Sequence, residues 1–464
     1  MSASNALSLS WWIERPAFSL LLHLTLAVLA QLVAMGFALY LLLVFGIGLA
    51  SVFRQGGQHA GFYVVYLAGL EVVYRMAGAP LLWEMVKYLC MGLLLAGILK
   101  DQRFSGRNPF LWYGLLLLPG IAYALWLGHP DVHVLRKQLL FSITGPGVLV
   151  WAGWYFWNRH YGQSELRRLL QAAAWPAVVL LALLFMGMPL SDIQWDATSS
   201  HEASGGFGPN QVATVLGWFM VIFAFALLHR LPLTFNRMAD LLLFGLCAFR
   251  GMLTFSRGGM VVAGIALLAP LLIVPFFSPT FRRRFSRLGL RLTFYSLLLA
   301  GIAICVDRLT NHYLYYRYAG KSNSEILYGN NPNRTFFSSR ELVLRHEWAA
   351  FAAQPWMGVG AGRGNIYRTA VFRFPHASHN ELSRLLAEHG LPGLTIAFVF
   401  HLMLPIGRFL GLRSGLSKHW FLLFFLMAEL TMAHSAMRLA LTGLAFGLAF
   451  ATITTKPHDP VRRQ

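Results

Sequence analysis

Charged residues are scarce in this chain. Asp, Glu, Lys and Arg make up 12% of the 464 residues, 57% of the residues are hydrophobic, and the mean hydropathy is +0.56. Soluble globular domains carry about 25% charged residues, so this composition does not fit that class. The hydrophobic residues lie in repeated apolar runs of about 20 residues, the length that crosses a bilayer as one helix. The composition therefore predicts an all-α polytopic membrane protein.

Cysteine and acidic residues are also few. The three cysteines, Cys90, Cys247 and Cys305, lie within or at the ends of apolar runs, which is typical of packing residues and not of a disulfide framework or a metal site. Asp and Glu number 18 against 38 Lys and Arg, which gives a formal net charge of +20. The basic residues cluster in short loops between apolar runs, a pattern typical of cytoplasmic loops that face anionic lipids. Membrane lipids are therefore expected partners, and nucleic acid is not.

The order of apolar runs and basic loops predicts about twelve transmembrane helices with both termini in the cytoplasm. Two very basic segments, 281–291 and 408–419, mark inner loops. Residues 307–389 contain no apolar run long enough to span and are expected to form a large periplasmic loop. We therefore divide the chain into N-terminal transmembrane helices, 1–306, a periplasmic loop domain with the catalytic motifs, 307–389, and C-terminal transmembrane helices with a cytoplasmic tail, 390–464.

Two stretches near the N-terminus allow more than one interpretation. Residues 16–53 contain no charge and fit one long tilted helix or a tight pair of helices, and we favour one crossing. In residues 61–78, Glu71 and Arg75 lie among aromatic residues, which fits a helix lying at the outer interface or re-entering the membrane. The first apolar run is far longer than that of a signal peptide, so we expect the N-terminus to be retained.

Arginines outside the cytoplasmic loops are candidates for function, because cations at the membrane are costly. Arg257 lies in the sequence TFSRGG at the outer end of a predicted crossing, and Arg250 precedes it by seven residues. Seven residues are two helical turns, which predicts both side chains on one face. A stacked pair suits a ligand with several negative charges, such as a diphosphate, since Arg binds phosphate oxygens bidentately. Snorkelling of Arg257 to the headgroups is the alternative.

The large loop contains a second group of candidates. Arg340 begins a predicted helix, where the helix dipole does not favour a cation. Arg345 can pair with Glu341 across one turn, which would be a surface salt bridge of small energy. The following run QPWMGVGAGRGN includes Gly360. Although this run resembles a phosphate-binding loop, it lacks the GK[ST] signature and is better explained as a tight turn.

A histidine at the end of the loop is the candidate base. His379 precedes a predicted helix at the membrane surface, close to several arginines. His376 lies three residues earlier and could share a metal ion with it, but the sequence offers no convincing third ligand and no Asp-x-Asp pair. We therefore expect no metal ion and no other cofactor.

These motifs in combination resemble the O-antigen ligase and polymerase superfamily of bacterial envelopes, over roughly residues 205–455. The resemblance is carried by GPN, by TFSRGG, by R-x7-W-x6-PWMGVGAG and by SHNELSRLLAEHGLPG. It implies a metal-independent glycosyltransferase of the GT-C type in the bacterial inner membrane, with its active site on the periplasmic face. Such enzymes take a glycan from undecaprenyl diphosphate, and the ligases pass O-antigen to a sugar hydroxyl of lipid A-core, which completes lipopolysaccharide.

The resemblance also implies roles for particular residues. Arg257, Arg340 and His379 match the catalytic positions, with the arginines on the diphosphate and His379 as base or as diphosphate stabiliser. This division agrees with the chemistry, because a sugar diphosphate needs charge neutralisation and the acceptor hydroxyl needs deprotonation. A single displacement of this kind would invert the anomeric centre. The other candidates are Arg250, Asn210, Asn380 and Arg345 for substrate binding, and Glu388, Trp348 and Gly360 as supporting residues.

Three alternatives share part of this pattern. An O-antigen polymerase or a protein O-oligosaccharyltransferase of the same superfamily would carry nearly the same motifs. A flippase or other transporter of lipid-linked glycans would need no base, and it predicts internal repeats that the charge and Gly/Pro pattern does not contain. The large loop between residues 307 and 389 also has no evident purpose in a transporter, so we favour the ligase.

Overall fold

The described part of the protein is mostly helical. The computed structural model describes residues 9–103, 105–286, 289–321, 323–329 and 338–454. The predicted retained N-terminal segment lies partly, and the predicted cytoplasmic tail almost wholly, outside these residues. The strands in the described ranges are β1 (His160–Tyr161) and β2 (Thr452–Ile453), which pair in parallel with His160 opposite Thr452. The predicted all-α polytopic fold is confirmed.

Fourteen helices lie between Leu9 and Ser286. They are α1 (Leu9–Ile13), α2 (Pro16–Leu32), α3 (Ala34–Gln55), α4 (Ala60–Gly69), α5 (Glu71–Ala77), α6 (Met85–Lys100), α7 (Pro109–Leu127), α8 (Val132–Phe156), α9 (Gln163–Ala174), α10 (Pro176–Met186), α11 (Pro209–His229), α12 (Arg237–Leu253), α13 (Arg257–Phe277) and α14 (Pro279–Ser286), with a 3-10 turn at Gly57–His59.

The remaining helices cover the large loop and the C-terminal spans. They are α15 (Gly289–Leu309), α16 (Tyr313–Tyr318), α17 (Asn323–Tyr328), α18 (Ser338–Ala353), α19 (Gly364–Phe372), α20 (Glu381–His389), α21 (Leu391–Phe398), α22 (Leu404–Gly411), α23 (Gly415–Ser435) and α24 (Ala440–Ala449), with a π-helical segment at Val399–Met403 between α21 and α22.

Fewer long apolar helices are present than the predicted twelve crossings. Within the described ranges, nine helices are long and apolar enough to cross a membrane, or ten if one bent pair counts as a span. The difference lies in three predicted crossings. These correspond to α6, α12 and α24, which contain 16, 17 and 10 residues. At 1.5 Å per residue, none of the three reaches the thickness of about 30 Å of a hydrocarbon core.

The two ambiguous stretches near the N-terminus are now defined. Residues 16–53 do not form the single helix we favoured, because the chain breaks at Val33 into α2 and α3, which pack against each other. The segment with Glu71 and Arg75 is a pair of helices bent by 41°. Its residues 60–75 are almost all buried, so the interpretation as a helix on the membrane interface is wrong. A broken span or a re-entrant segment fits the burial.

The centre of the bundle is α11, which is buried over nearly its whole length. Its backbone lies close to that of α13, since a side chain at Gly217 would meet the carbonyl oxygen of Gly259 at 2.9 Å. In the same interface, a Cβ atom at Gly259 would meet the carbonyl carbon of Ala213 at 2.5 Å. Small residues allow this approach, as is common between membrane helices. As a result, the first turns of α11 and α13 lie side by side.

The two ends of the bundle are separated by one membrane thickness. Helices α13 and α23 contain 21 residues each, hence about 31 Å, and run in opposite directions. Gly258 lies against the ring of His434 at one end, and Gly415 lies against Ser278 at the other. We call the first the site end. Arg413 precedes Gly415 by two residues, so the basic loop 408–419 lies at the far end.

This arrangement predicts opposite labelling of two exposed residues, Thr369 on α19 and Arg413. In spheroplasts, a membrane-impermeant maleimide should modify Thr369→Cys, and should modify Arg413→Cys only after permeabilisation, because basic loops remain in the cytoplasm. The exposed native Cys305 should be replaced in both variants. The reverse labelling pattern would invert the orientation.

Candidate active site

The site end is built around the turn between α12 and α13. Phe255 takes the left-handed conformation with φ of 54°, which reverses the chain. Ser256 then precedes α13, and its Oγ donates a hydrogen bond of 2.7 Å to Oδ1 of Asn210 in the first turn of α11. Arg257 is the first residue of α13, and any side chain at Gly258 would overlap the ring of His434. Arg257 and Asn210 are thereby placed at one end of the bundle, as the sequence predicted.

His379 is held between the large loop and the C-terminal helices. The next residue, Asn380, caps α20, because its Oδ1 accepts hydrogen bonds from the backbone N–H groups of Leu382 and Ser383. The carbonyl oxygen of His379 accepts a 3.0 Å hydrogen bond from the N–H of Ala436, in the turn between α23 and α24. The backbone of His379 is therefore fixed on both sides.

The imidazole of His379 has Arg438 as a hydrogen-bond partner. Nη2 of Arg438 donates to Nδ1 of His379 at 3.3 Å and to the carbonyl oxygen of Ser378 at 3.4 Å. A guanidinium can only donate, so this contact requires Nδ1 to carry the lone pair and Nε2 to carry the proton. His379 is thus a neutral imidazole with Nδ1 directed at a cation.

The electrostatics of the site favour this neutral form. Burial, and then the cations Arg438 and Arg340, lower the pKa of His379 to about 4. Arg257 in turn acts on Arg340, whose pKa is lowered by desolvation and by this neighbour although its side chain reaches solvent. Burial and Arg340 also lower the pKa of Arg438. Arg438 and Arg340 therefore place positive charge near the uncharged histidine, and Arg257 adds a third cation near Arg340.

A second network fixes the loop that leads to His379. Arg368 donates to Glu347 at 2.9 Å and to the carbonyl oxygen of His376. Glu388 on α20 accepts hydrogen bonds from the N–H of Gly362 at 2.9 Å and from Ser142 at 2.6 Å. Arg384 lies between Glu381 and Glu388 and pairs with both. These contacts tie the glycine-rich run to α20 and to the spanning helix α8.

Several predicted candidates lie outside the arginine group. The prediction that Arg250 and Arg257 stack on one helix face is wrong, because the chain reverses between them. Arg250 instead donates hydrogen bonds to the carbonyl oxygens of Leu184 and Ala203, at 2.8 and 3.1 Å. Arg345 forms the surface pair with Glu341 at 2.7 Å, and its side chain is 72% exposed.

The other candidates either lie at the surface or stabilise the local structure. Trp348 is 62% exposed on α18, and Asn380 uses its side chain as a helix cap. Gly360 has φ of +92°, and its N–H donates to the carbonyl oxygen of Glu388. A Cβ atom at Gly360 would meet Ala124 of α7 at 3.2 Å, so this glycine allows the loop to approach a helix. Within the described ranges no three His, Cys, Asp or Glu side chains gather as metal ligands, and metal independence stays a prediction.

Two residues that the sequence analysis missed belong to the site. Arg438 follows α23 in the turn before α24, and His434 lies in the last turn of α23. The sequence carries a usable signal for Arg438. This residue is a cation in a short turn outside the cytoplasmic loops, where basic residues normally cluster. His434 lies two residues before Ala436, whose N–H donates to the carbonyl oxygen of His379, and it lowers the pKa of His379. Its place in an apolar helix gives no such signal.

A buried ion cluster holds the Arg438 turn. Its members are Glu71 and Arg75 of α5, Glu84, and Lys87 of α6, with Arg75 to Glu71 at 2.5 Å and Lys87 to Glu84 at 2.8 Å. Two members bind the turn directly. Nζ of Lys87 donates to the carbonyl oxygen of Met437 at 3.1 Å, and Glu71 accepts from the N–H of Ala440 at 2.6 Å. The backbone on both sides of Arg438 is thus anchored to the N-terminal half.

The cluster also reaches α11. Nη1 of Arg75 donates to Oε1 of Gln211 at 3.0 Å, and Gln211 follows Asn210 in the chain. With two carboxylates and two cations, the four side chains of the cluster sum to zero charge, as deep burial requires.

Comparison with known proteins supports a family for this part of the chain. Residues 242–398 match the family model described as O-antigen ligase. The matched range contains Arg257, Arg340 and His379 and ends before Arg438. This supports the assignment of the chain to the O-antigen ligase-type superfamily that the motifs resemble. A search of the curated proteins found no match.

The ion cluster yields a stability prediction. Lys87→Met should leave a net negative charge in the cluster and reduce the free energy of unfolding by about 3–5 kcal/mol, seen as a lower Tm in detergent. Adding Glu84→Gln restores net neutrality, so the double variant should be more stable than Lys87→Met alone. Lys100→Met, at the exposed end of the same helix, should change the stability by less than about 0.5 kcal/mol. A double variant less stable than Lys87→Met would contradict the proposed charge balance.

Proposed function

Since residues 242–398 match the O-antigen ligase family, we propose that the protein transfers O-antigen from undecaprenyl diphosphate to a sugar hydroxyl of lipid A-core. The reaction takes place at the periplasmic face of the inner membrane, the side opposite the basic loops. The observation that carries the proposal is the contact of Arg438 with the neutral His379, with Arg340 near this histidine and Arg257 near Arg340. A cluster of arginines suits a diphosphate, and a neutral imidazole beside it can take a proton.

The proposed chemistry is a single displacement. The oxygen of the acceptor hydroxyl attacks the anomeric carbon of the donor glycan, and the bond from this carbon to the diphosphate oxygen breaks. The electron pair leaves with undecaprenyl diphosphate, whose growing negative charge is stabilised by Arg257 and Arg340. The hydroxyl proton passes to His379. This route inverts the anomeric centre and needs no energy source besides the donor.

Donor binding and base strength are coupled in this arrangement. In the free protein, burial and the surrounding cations hold the pKa of His379 at about 4, which makes it a weak base at neutral pH. A bound diphosphate brings negative charge to the arginines, which favours the imidazolium and raises this pKa. His379 therefore becomes a stronger base when the donor is bound. Without the donor it stays a weak base, which limits unproductive proton uptake.

The direct test is transfer by the purified protein in detergent. With undecaprenyl-diphosphate-linked O-antigen and lipid A-core, the wild type should form a product of higher mass, and EDTA should not diminish its yield. Arg257→Lys and Arg340→Lys should each reduce the rate by about 10²–10³, because an ammonium cannot reproduce the bidentate guanidinium contact. Arg308→Lys, at an exposed position on α15, is the matched control and should transfer like the wild type.

The products of this assay also separate the alternatives. Elongation of the lipid-linked glycan without transfer to lipid A-core would identify a polymerase, and a glycosylated protein acceptor would identify an oligosaccharyltransferase. No covalent product with any acceptor would favour a transporter. Full activity of both Arg→Lys variants would remove the arginines from the diphosphate site.

His379 is tested by separating chemistry from donor binding. His379→Ala should reduce transfer by about 10²–10⁴ and leave donor affinity nearly unchanged, since the arginines hold the donor. As a base, His379 must be neutral, so activity should be retained at neutral pH and lost as pH falls. The acidic limb of the kcat/KM profile reports the free protein and should lie well below pH 6.5. The acidic limb of the kcat profile reports the protein with bound substrates, and it should lie at a higher pH because the diphosphate raises the pKa of His379. If His379 instead acts as an imidazolium on the diphosphate, activity declines as pH rises and His379→Ala binds donor weakly.

A further inference from the structure

A cavity lies beside His379, on the side where Arg438 contacts it. The cavity has a volume of about 400 Å³, within the range of roughly 300–1,000 Å³ that is typical of small-molecule sites. It lies between the first half of α8, the glycine-rich run with the start of α19, helix α20 and the Met437–Arg438 turn. Within the described part of the chain, its lining includes Ser378 and Arg438 but neither Arg257 nor Arg340. The cavity is therefore distinct from the proposed diphosphate site.

Three side chains that line this cavity carry unsatisfied polar atoms. Oε1 of Gln138, Oδ1 of Asn365 and Nε of Arg438 are buried and have no hydrogen-bond partner among the described residues. A buried polar atom without a partner costs free energy unless water or a ligand supplies the missing bond. Two acceptors and one donor match a ligand with several hydroxyl groups, because a hydroxyl both donates and accepts. These atoms point to a sugar.

The charges of the lining are unequal. Its carboxylates, Glu381 and Glu388, are both paired with Arg384, and Arg368 is paired with Glu347 at 2.9 Å. The two carboxylates share one arginine, which leaves one excess negative charge, whereas Lys137 and Arg438 add two positive charges. The lining together with Glu347 therefore has a net charge of +1. The cavity is therefore suited to a sugar that carries an anionic substituent, with Lys137 exposed to solvent.

The cavity also has a lipid-facing wall. Phe141 lines it and is 48% exposed, and α8 is long and apolar enough to span the membrane. A glycan attached to a lipid can therefore reach the cavity from the bilayer.

The position of the His379 lone pair connects this cavity to the chemistry. Because Arg438 donates to Nδ1, the nitrogen that can accept a proton faces Arg438. This hydrogen bond of 3.3 Å is long, and a hydroxyl from the cavity can replace it. The freed guanidinium then remains beside the acceptor oxygen.

From these observations we propose that the cavity is the acceptor subsite, and that it binds an anionic, lipid-anchored glycan through Gln138, Asn365, Lys137 and Arg438. This inference rests on the proposed transferase function and adds the location of the acceptor and the residues that bind it. The reacting hydroxyl takes the place of Arg438 on Nδ1 of His379 and gives its proton to that nitrogen. Donor and acceptor then approach His379 from different sides.

Kinetics with separate variation of the two substrates test the proposal. Gln138→Met and Asn365→Leu remove the polar atoms with little change of volume, and together they should raise KM for lipid A-core by roughly tenfold or more. KM for the lipid-linked donor should stay within about twofold of the wild type, and kcat should be largely retained. The control is Gln354→Met, at an exposed position outside the cavity. An unchanged acceptor KM, or an equal rise in donor KM, would overturn the assignment.

Cross-linking tests the cavity without relying on turnover. The photoreactive residue benzoylphenylalanine is placed at Phe141, and in a control protein at Phe276, which is 86% exposed on α13. Lipid A-core should cross-link at position 141 far more than at position 276, and excess lipid A-core should suppress this product. Equal cross-linking at both positions would overturn the subsite. A protein that shows the specific cross-link but no transfer would retain the subsite and lose the proposed function, so the two failures differ.

Discussion

The structure of the site depends on a cluster of charges buried inside an apolar bundle. Glu71, Arg75, Glu84 and Lys87 can lie among hydrophobic helices only because each is paired within the group. Glu71 and Lys87 bind the backbone of the turn that carries Arg438. The N-terminal half, which lacks the family motifs, thus determines where one of the site arginines lies.

Close helix packing provides the second constraint on the site. Glycines at the start of α13 admit the ring of His434 and the backbone of α11, so a spanning helix begins directly beside two others. Arg257 is therefore presented at a junction of helices, near Arg340 of the large loop. Cations gathered in this way repel one another and disfavour a charge on His379. In the proposed function, a bound diphosphate relieves both effects, which gives the site a physical reason to bind an anion before it moves a proton.

Two groups of side chains with different chemistry lie near His379. Arg257 and Arg340 suit phosphate oxygens and do not line the neighbouring cavity. The cavity itself contains unsatisfied amide oxygens that suit hydroxyl groups. The proposed transferase needs this separation, because donor and acceptor must meet in line at one carbon atom while each is held by its own contacts.

The sequence by itself determined the membrane class, the helical fold, most of the long spans and the grouping of Arg257, Arg340 and His379 near one end of the bundle. Long apolar runs and basic loops have few alternatives in a bilayer, so these features follow from composition and order. Only the tertiary structure decided the break at Val33, the burial of Glu71 and Arg75, the separation of Arg250 from Arg257 and the contact of Arg438 with His379. Each of these depends on a chain reversal or on a partner that is distant in the sequence, as Ala440 is for Glu71. Helical periodicity carries no information about chain reversals or distant partners.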